Sequence, residues 1–177
     1  PVILRVTTRV AHSRSTAELA ERVDNGLREY TKNPQKYVMV PANAKGKHVV
    51  VEQRILDQIA YCEKEAVENG LNTVEYNSKK IGVIASGICY QYAKEALGEN
   101  ASYLKLGCVY PLPVDLIKNF AAECEKVYVL EELDDYLETH CRKNGIEIAP
   151  PDVNRSMEKF SVDMSSGKKK IRFGLNA

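Results

Sequence analysis

The stretch Ile81-Gly-Val-Ile-Ala-Ser-Gly-Ile-Cys-Tyr90 decides the fold. Ile81 to Ala85 is a short apolar run, the pattern of a strand buried on both faces. Ser86-Gly87 then turns the chain into a second apolar run, Cys89 to Leu97, which is closed by Gly98 and reads as a helix. A buried strand delivered straight into a helix is half of a β-α-β unit, the connection that parallel strands require. The rhythm continues C-terminally with Ser102 to Leu106 as a strand and Val114 to Cys124 as a helix reached through Pro111-Leu-Pro113. Val127 to Leu130 follows as a strand, Leu133 to Lys143 as a helix stopped by Asn144-Gly145, and Ile146 to Ile148 as a last short strand. On the N-terminal side, Thr73 to Tyr76 is extended. Before it a helix is expected from Lys47 to Asn69-Gly70, with Val50, Ile55, Ile59, Ala66 and Val67 among its apolar positions. The expected class is α/β, a mostly parallel open sheet with helices on both faces.

Outside this block the pattern weakens. Val2 to Thr8 reads as a strand, Ala11 to Tyr30 as loop with a weak helix (Leu19, Ala20, Val23 and Leu27), and Lys32-Asn-Pro-Gln-Lys36 as a turn. A short extended run, Tyr37-Val-Met-Val40, leads into Pro41-Ala-Asn-Ala-Lys-Gly46, read as punctuation before the helix. Beyond Pro150-Pro151 the chain is polar, broken by Ser165-Ser166-Gly167 and Lys168-Lys-Lys170. The divisions are residues 1–46, a closing strand of a preceding domain with its linker; 47–150, the α/β domain; and 151–177, an extended polar tail. Because Pro1 begins inside a strand-like run, the chain is expected to be part of something longer.

The 177 residues amount to one domain and some excess. Twenty-five basic against 24 acidic residues leave a net charge of +1, without the basic surplus of a nucleic-acid binder. Cys62, Cys89, Cys108, Cys124 and Cys141 are odd in number and widely spread, which argues for a reducing cytoplasm and against a disulfide framework. No run approaches the roughly 18–20 apolar residues of a membrane span, so no membrane partner is expected.

Several residues are candidates for chemistry. At Ser86-Gly87 a helix N-terminus could hold a phosphate or carboxylate; equally, this is a tight strand-to-helix turn with Ser86 as cap. Leu130-Glu-Glu-Leu-Asp-Asp135 places four carboxylates at the carboxyl end of a strand, where open α/β sheets bind ligands, or simply puts negative charge on the first turn of a helix. His12, His48 and His140 form no metal-binding pair. The cysteines form no C-x-x-C, so neither a zinc or iron–sulfur site nor a redox pair is expected. Cys89 is near a helix N-terminus, but its apolar neighbours favour a buried structural thiol. Tyr90, Tyr92, Tyr103 and Tyr110 either stack on a planar ligand or pack with their hydroxyls at the rim. Arg9, His12 and Arg14, in the polar segment after the first strand, suit a polar ligand, a domain boundary or a solvated loop.

Three motifs stand in order: Ala85-Ser-Gly-Ile88, Tyr110-Pro-Leu-Pro-Val114 and Val127-Tyr-Val-Leu-Glu-Glu132. In this order the chain resembles the transketolase C-terminal domain of thiamine-diphosphate enzymes. With Val2 to Arg14, Asn33 to Ala42 and Ser102 to Gly107 added, it is similar to the α subunit of indolepyruvate:ferredoxin oxidoreductases over nearly the whole length to Ile148. The resemblance implies a parent enzyme that oxidatively decarboxylates aryl 2-oxo acids to acyl-CoA. Such a parent uses thiamine diphosphate, magnesium, iron–sulfur clusters and coenzyme A, with the remaining α-subunit domains, a β subunit and ferredoxin as partners. It also implies that this segment supports subunit packing as a structural or interface domain and lacks an active site of its own. Arg9, His12 and Arg14 would then lie at a domain boundary. The chain has no diphosphate-binding Gly-Asp-Gly and no ferredoxin-like cysteine array, so no catalytic or metal-binding residue is carried over and no cofactor is expected within it. The alternative is a freestanding phosphate- or nucleotide-binding α/β module using Ser86 and Gly87.

Overall fold

The computed structural model describes residues 3–6, 8–27, 29–132, 134–150, 158–163 and 170–175, with 9, 10 and the last two stretches described by backbone alone. The chain divides into two compact units, Pro1–Val38 and Met39–Ala177. In the first unit, residues 3–6 are exposed and join no ladder, so the strand expected at 2–8 is not formed there. A strand owes its stability to a paired neighbour, and apolar β-branched residues do not supply one. The short helix α1 (Thr8–His12) follows, then an exposed, irregular stretch. Pro34–Tyr37 closes the unit as a single helical turn, α2, where the Lys36 N–H donates to Asn33 Oδ1 at 3.0 Å. The turn expected at 32–36 is thus a capped helical turn.

In the second unit the helix expected from Lys47 begins earlier. This helix, α3 (Pro41–Glu63), takes Pro41 at its N-terminal turn, where the missing N–H costs nothing, and runs through Gly46. The apparent punctuation at 41–46 is therefore the start of the helix. Nor does the helix continue unbroken to residue 69: it stops at Lys64 and restarts as α4 (Glu65–Glu68). Gly70, at φ 70°, lets the Leu71 and Asn72 N–H groups fold back to donate to the Ala66 carbonyl at 2.8 and 2.9 Å.

Four strands follow: β1 (Thr73–Glu75), β2 (Gly82–Ser86), β3 (Ser102–Leu106) and β4 (Val127–Leu130), in the sheet order β1-β3-β2-β4. β2 pairs in parallel with both β3 and β4, and β1 adds an antiparallel edge to β3. Between β2 and β3 lie helix α5 (Gly87–Leu97) and a turn of 3-10 helix; between β3 and β4 lies α6 (Val114–Ala122). The first crossover moves to one side of β2 and the second to the other, so right-handed connections must put α5 and α6 on opposite faces.

The core shows this division. Val83 and Ala85 of β2 and Tyr103 of β3 pack with Cys89, Tyr90 and Ala93 of α5. Ile84, Leu104, Leu106 and Val129 point to the other face and pack with Ile117 and Phe120 of α6. Helix α7 (Tyr136–Lys143) adds Leu137 and Cys141 to that second face. It starts later than the expected 133, with 135 still outside it. Ile146 and Ile148 are buried there too. The 146–148 segment is not a strand, although the Ala149 N–H donates to the Val127 carbonyl at 2.8 Å. The expected mostly parallel sheet with helices on both faces is therefore the observed one.

Of residues 151–177, only 158–163 and 170–175 are described. They form a hairpin of β5 (Glu158–Asp163) and β6 (Lys170–Leu175), with Phe160 opposite Phe173. The alternation Lys159-Phe-Ser-Val162 matched by Ile171-Arg-Phe173 has the period of a strand.

Candidate functional site

β2 hands its chain to α5 on one face of the sheet, whereas β4 hands its chain to α7 on the other. The carboxyl ends of these neighbouring strands therefore part, and a crevice opens where the connections diverge. It measures about 410 Å³, with Ser86 to Cys89 on one wall, Glu131, Glu132, Asp134, Tyr136 and Leu137 on the other, and Val109 between. The sequence motifs Ser86-Gly87 and Glu131-Glu132 thus meet, as strand ends on adjacent strands should.

Each wall has a distinct chemistry. Ser86 occupies the N-cap position of α5, but its side chain makes no capping hydrogen bond, which corrects the reading of Ser86 as cap. Gly87 has φ 55°, a conformation that side chains resist, and nothing lies within 4 Å of where its Cβ would stand. Backbone geometry, and not crowding, calls for glycine there. Opposite, Glu131 accepts from the Leu137 and Glu138 N–H groups at 2.8 and 3.0 Å and so caps α7. This is the helix-start reading of the acidic run, with the cap supplied six residues before the bond it makes. Asp135 accepts from the Thr139 hydroxyl at 3.0 Å.

The positive end of α5 thus faces carboxylates. A phosphate in the crevice would meet Glu132 and Asp134 as well as the helix terminus, which counts against a phosphate site. The same field acts on Cys89: burial, then Glu132 and Glu131, push its thiol up to about 12. Cys89 is a protonated structural thiol at neutral pH, not a nucleophile. Tyr103 is fully buried and its hydroxyl donates to the Gly98 carbonyl at 2.6 Å, while Tyr90 meets it edge-on and donates to Glu75. These two tyrosines pack and do not offer a stacking platform. Tyr110 is exposed.

His12 and Arg14 are exposed in the first unit, and the side chain of Arg9 lies outside the described residues. Among the described residues, no three His, Cys, Asp or Glu side chains come together as a metal-ligand set. Cys62, Cys89 and Cys141 are buried in hydrophobic surroundings that raise their thiols to about 11, 12 and 11. Among the described residues, these donors do not form the ligand set of an iron–sulfur cluster or a magnesium diphosphate.

Sequence reasoning missed two polar residues that tie distant segments of the chain together. Asn72 is fully buried; its Nδ2 donates to the Cys62 carbonyl at 2.9 Å and its Oδ1 accepts from the Gly107 and Cys108 N–H groups at 2.9 and 3.0 Å. Glu63, at the end of α3, accepts from Asp115 and Leu116 N–H groups at 2.9 and 2.7 Å, capping α6 where Pro113 cannot. Neither partnership is visible in local spacing.

No protein-family model matches the chain. Relatives do: indolepyruvate oxidoreductase subunit IorA of Archaeoglobus fulgidus is 33% identical over 151 residues, covering 82% of this chain and 24% of the relative. The same subunit of Methanothermobacter marburgensis is 36% identical over 144 residues (78% of this chain, 23% of the relative), and that of Pyrococcus abyssi 36% over 148 (77% and 22%). The chain thus spans about a quarter of the length of the curated relatives it matches. A 2-oxoglutarate:ferredoxin oxidoreductase from Magnetococcus marinus aligns with 63% of this chain and 20% of its own, at 24% identity and a TM-score of 0.43. No helix among the described residues is long and apolar enough to cross a membrane. By sequence, the chain is similar to one segment of the indolepyruvate oxidoreductase subunit IorA.

Proposed function

We propose that this chain is the transketolase C-terminal-like domain of the α subunit of a cytoplasmic indolepyruvate:ferredoxin oxidoreductase and acts there as a structural and interface domain. The parent enzyme oxidatively decarboxylates aryl 2-oxo acids to acyl-CoA and passes the electrons to ferredoxin. Thiamine diphosphate, magnesium, coenzyme A and iron–sulfur clusters belong to its other segments and to the β subunit. The observation that carries this reading is the match of about four-fifths of the chain to only about a quarter of each relative. The crevice supports it, because its thiol is held protonated and its best-placed carboxylate, Glu131, is committed to a helix cap.

Calorimetric titration of the chain with thiamine diphosphate and magnesium is the test. No heat of binding is expected from the chain, whereas the complete subunit should bind. A micromolar affinity in the chain alone would overturn the non-catalytic assignment.

A further inference from the structure

The fold joins two cysteines that the sequence keeps apart. Cys62 ends α3 and Cys108 follows β3, yet one amide group, that of Asn72, donates to the Cys62 carbonyl and accepts from the Cys108 N–H at 2.9 and 3.0 Å. The two backbones are therefore held across the width of a single side chain, and Cys108 stands near enough to the Cys62 thiol to help raise it. Cys62 is buried and Cys108 is half-exposed. Cys89 and Cys141 sit in separate clusters on opposite faces of the sheet.

We propose that Cys62 and Cys108 are a reversible dithiol–disulfide site, closed by peroxides. Cys108, the more accessible thiol, attacks a peroxide oxygen; the O–O bond breaks, one water leaves and a sulfenic acid forms. The Cys62 sulfur then displaces the sulfenic oxygen, a second water leaves and the S–S bond closes. Two thiols lose two protons and two electrons, and one hydrogen peroxide becomes two waters. Burial and the neighbouring Cys108 hold the Cys62 thiol at about 11, so the second step accelerates with pH. Such a pair departs from the expectation, drawn from the lack of a C-x-x-C motif, that the chain encodes no redox pair. The disulfide would tie the end of α3 to the loop that carries Val109 into the crevice.

The test uses the full chain, folded and dilute, treated with hydrogen peroxide, blocked with N-ethylmaleimide and digested with trypsin without reduction. The five cysteines fall on five different tryptic peptides. A link between residues 55–64 and 106–118 that disappears with dithiothreitol is expected. In Cys62→Ser the link is lost and dimedone captures Cys108 as its sulfenic acid; Cys62→Ala with an unchanged melting curve excludes misfolding as the cause. Links between other pairs, links only between separate chains, or five free thiols after peroxide would each overturn the proposal.

Discussion

Replacing Asn72 by leucine isolates what one buried amide contributes. Leucine has the same branched four-atom skeleton as asparagine with methyls in place of the oxygen and nitrogen, so no cavity is left and three hydrogen bonds of 2.9, 2.9 and 3.0 Å are lost. Each is worth about 1 kcal/mol net, and a buried N–H left unsatisfied costs about 1–3 kcal/mol. Asn72 itself is fully buried, but Cys108 is half-exposed and water can reach its N–H. The Gly107 N–H and the Cys62 carbonyl carry the larger penalty, and the sum comes to about 3–5 kcal/mol. At roughly 2–4 °C per kcal/mol for a chain of this size, the melting midpoint should fall by about 10 °C. Urea unfolding followed by circular dichroism checks it, with an unchanged slope expected. Asn72→Asp retains both accepting bonds and loses the donor, placing a carboxylate against the Cys62 carbonyl oxygen; its deficit should shrink as acid protonates the new group. If Asn72→Leu costs under about 1 kcal/mol, the amide is not holding α3 to the loop after β3, and the argument from the hydrogen bonds fails.

Other outcomes follow from the same contacts. Gly107→Ala puts a Cβ at 2.4 Å from the Leu71 carbonyl oxygen, so the backbone must shift; about 2 kcal/mol or more of lost stability is expected in the same urea assay. Phe120→Ala, at a fully buried position of α6, should cost about 3–5 kcal/mol, and a loss near zero would move α6 off the sheet. The thiols of Cys62, Cys89 and Cys141 are raised in the folded chain, so the unfolded chain ionises first as pH rises past 9. Stability should fall by about 1.4 kcal/mol per pH unit for each thiol until the folded values near 11 and 12 are reached, and a flat profile from pH 9 to 11 would refute it. Glu75 is lowered by the hydrogen bonds from Lys94 and Tyr90, so its contribution is present at neutral pH and lost as pH drops below the ordinary carboxylate range. Glu75→Gln should flatten that acid limb by well under about 1 kcal/mol, as the pair is partly exposed.

Much of the sheet from Thr73 to Leu130 was legible because β2, β3 and β4 are short, largely apolar runs, and α5 and α7 stop at Gly98 and at Asn144-Gly145. Ser86-Gly87 and Glu131-Glu132 were each legible as a strand end, and it is the pairing of β2 with β4 that brings them together. What escaped was set by tertiary contact. Pro41 starts a helix because a first-turn residue has no intrahelical N–H bond to lose, yet read alone it looks like a break. The segment at 3–6 is apolar enough for a strand, but a ladder needs a second edge. Asn72, Glu63 and the Cys62–Cys108 pair join residues far apart in sequence, and no local period encodes them. The acidic run was ambiguous until the bonds from Glu131 to the first turn of α7 fixed its role.

The cap that Glu63 lends to α6 has a consequence for the order in which the chain assembles. The orphan N–H groups of α6 find their acceptor on a residue 52 and 53 positions earlier, so α6 does not own a complete first turn until α3 is seated. The amides of Asp115 and Leu116 should therefore exchange with solvent at the rate at which α3 detaches, not at the rate at which α6 frays. The two helices become a single opening unit, in which loosening the end of one releases the beginning of the other.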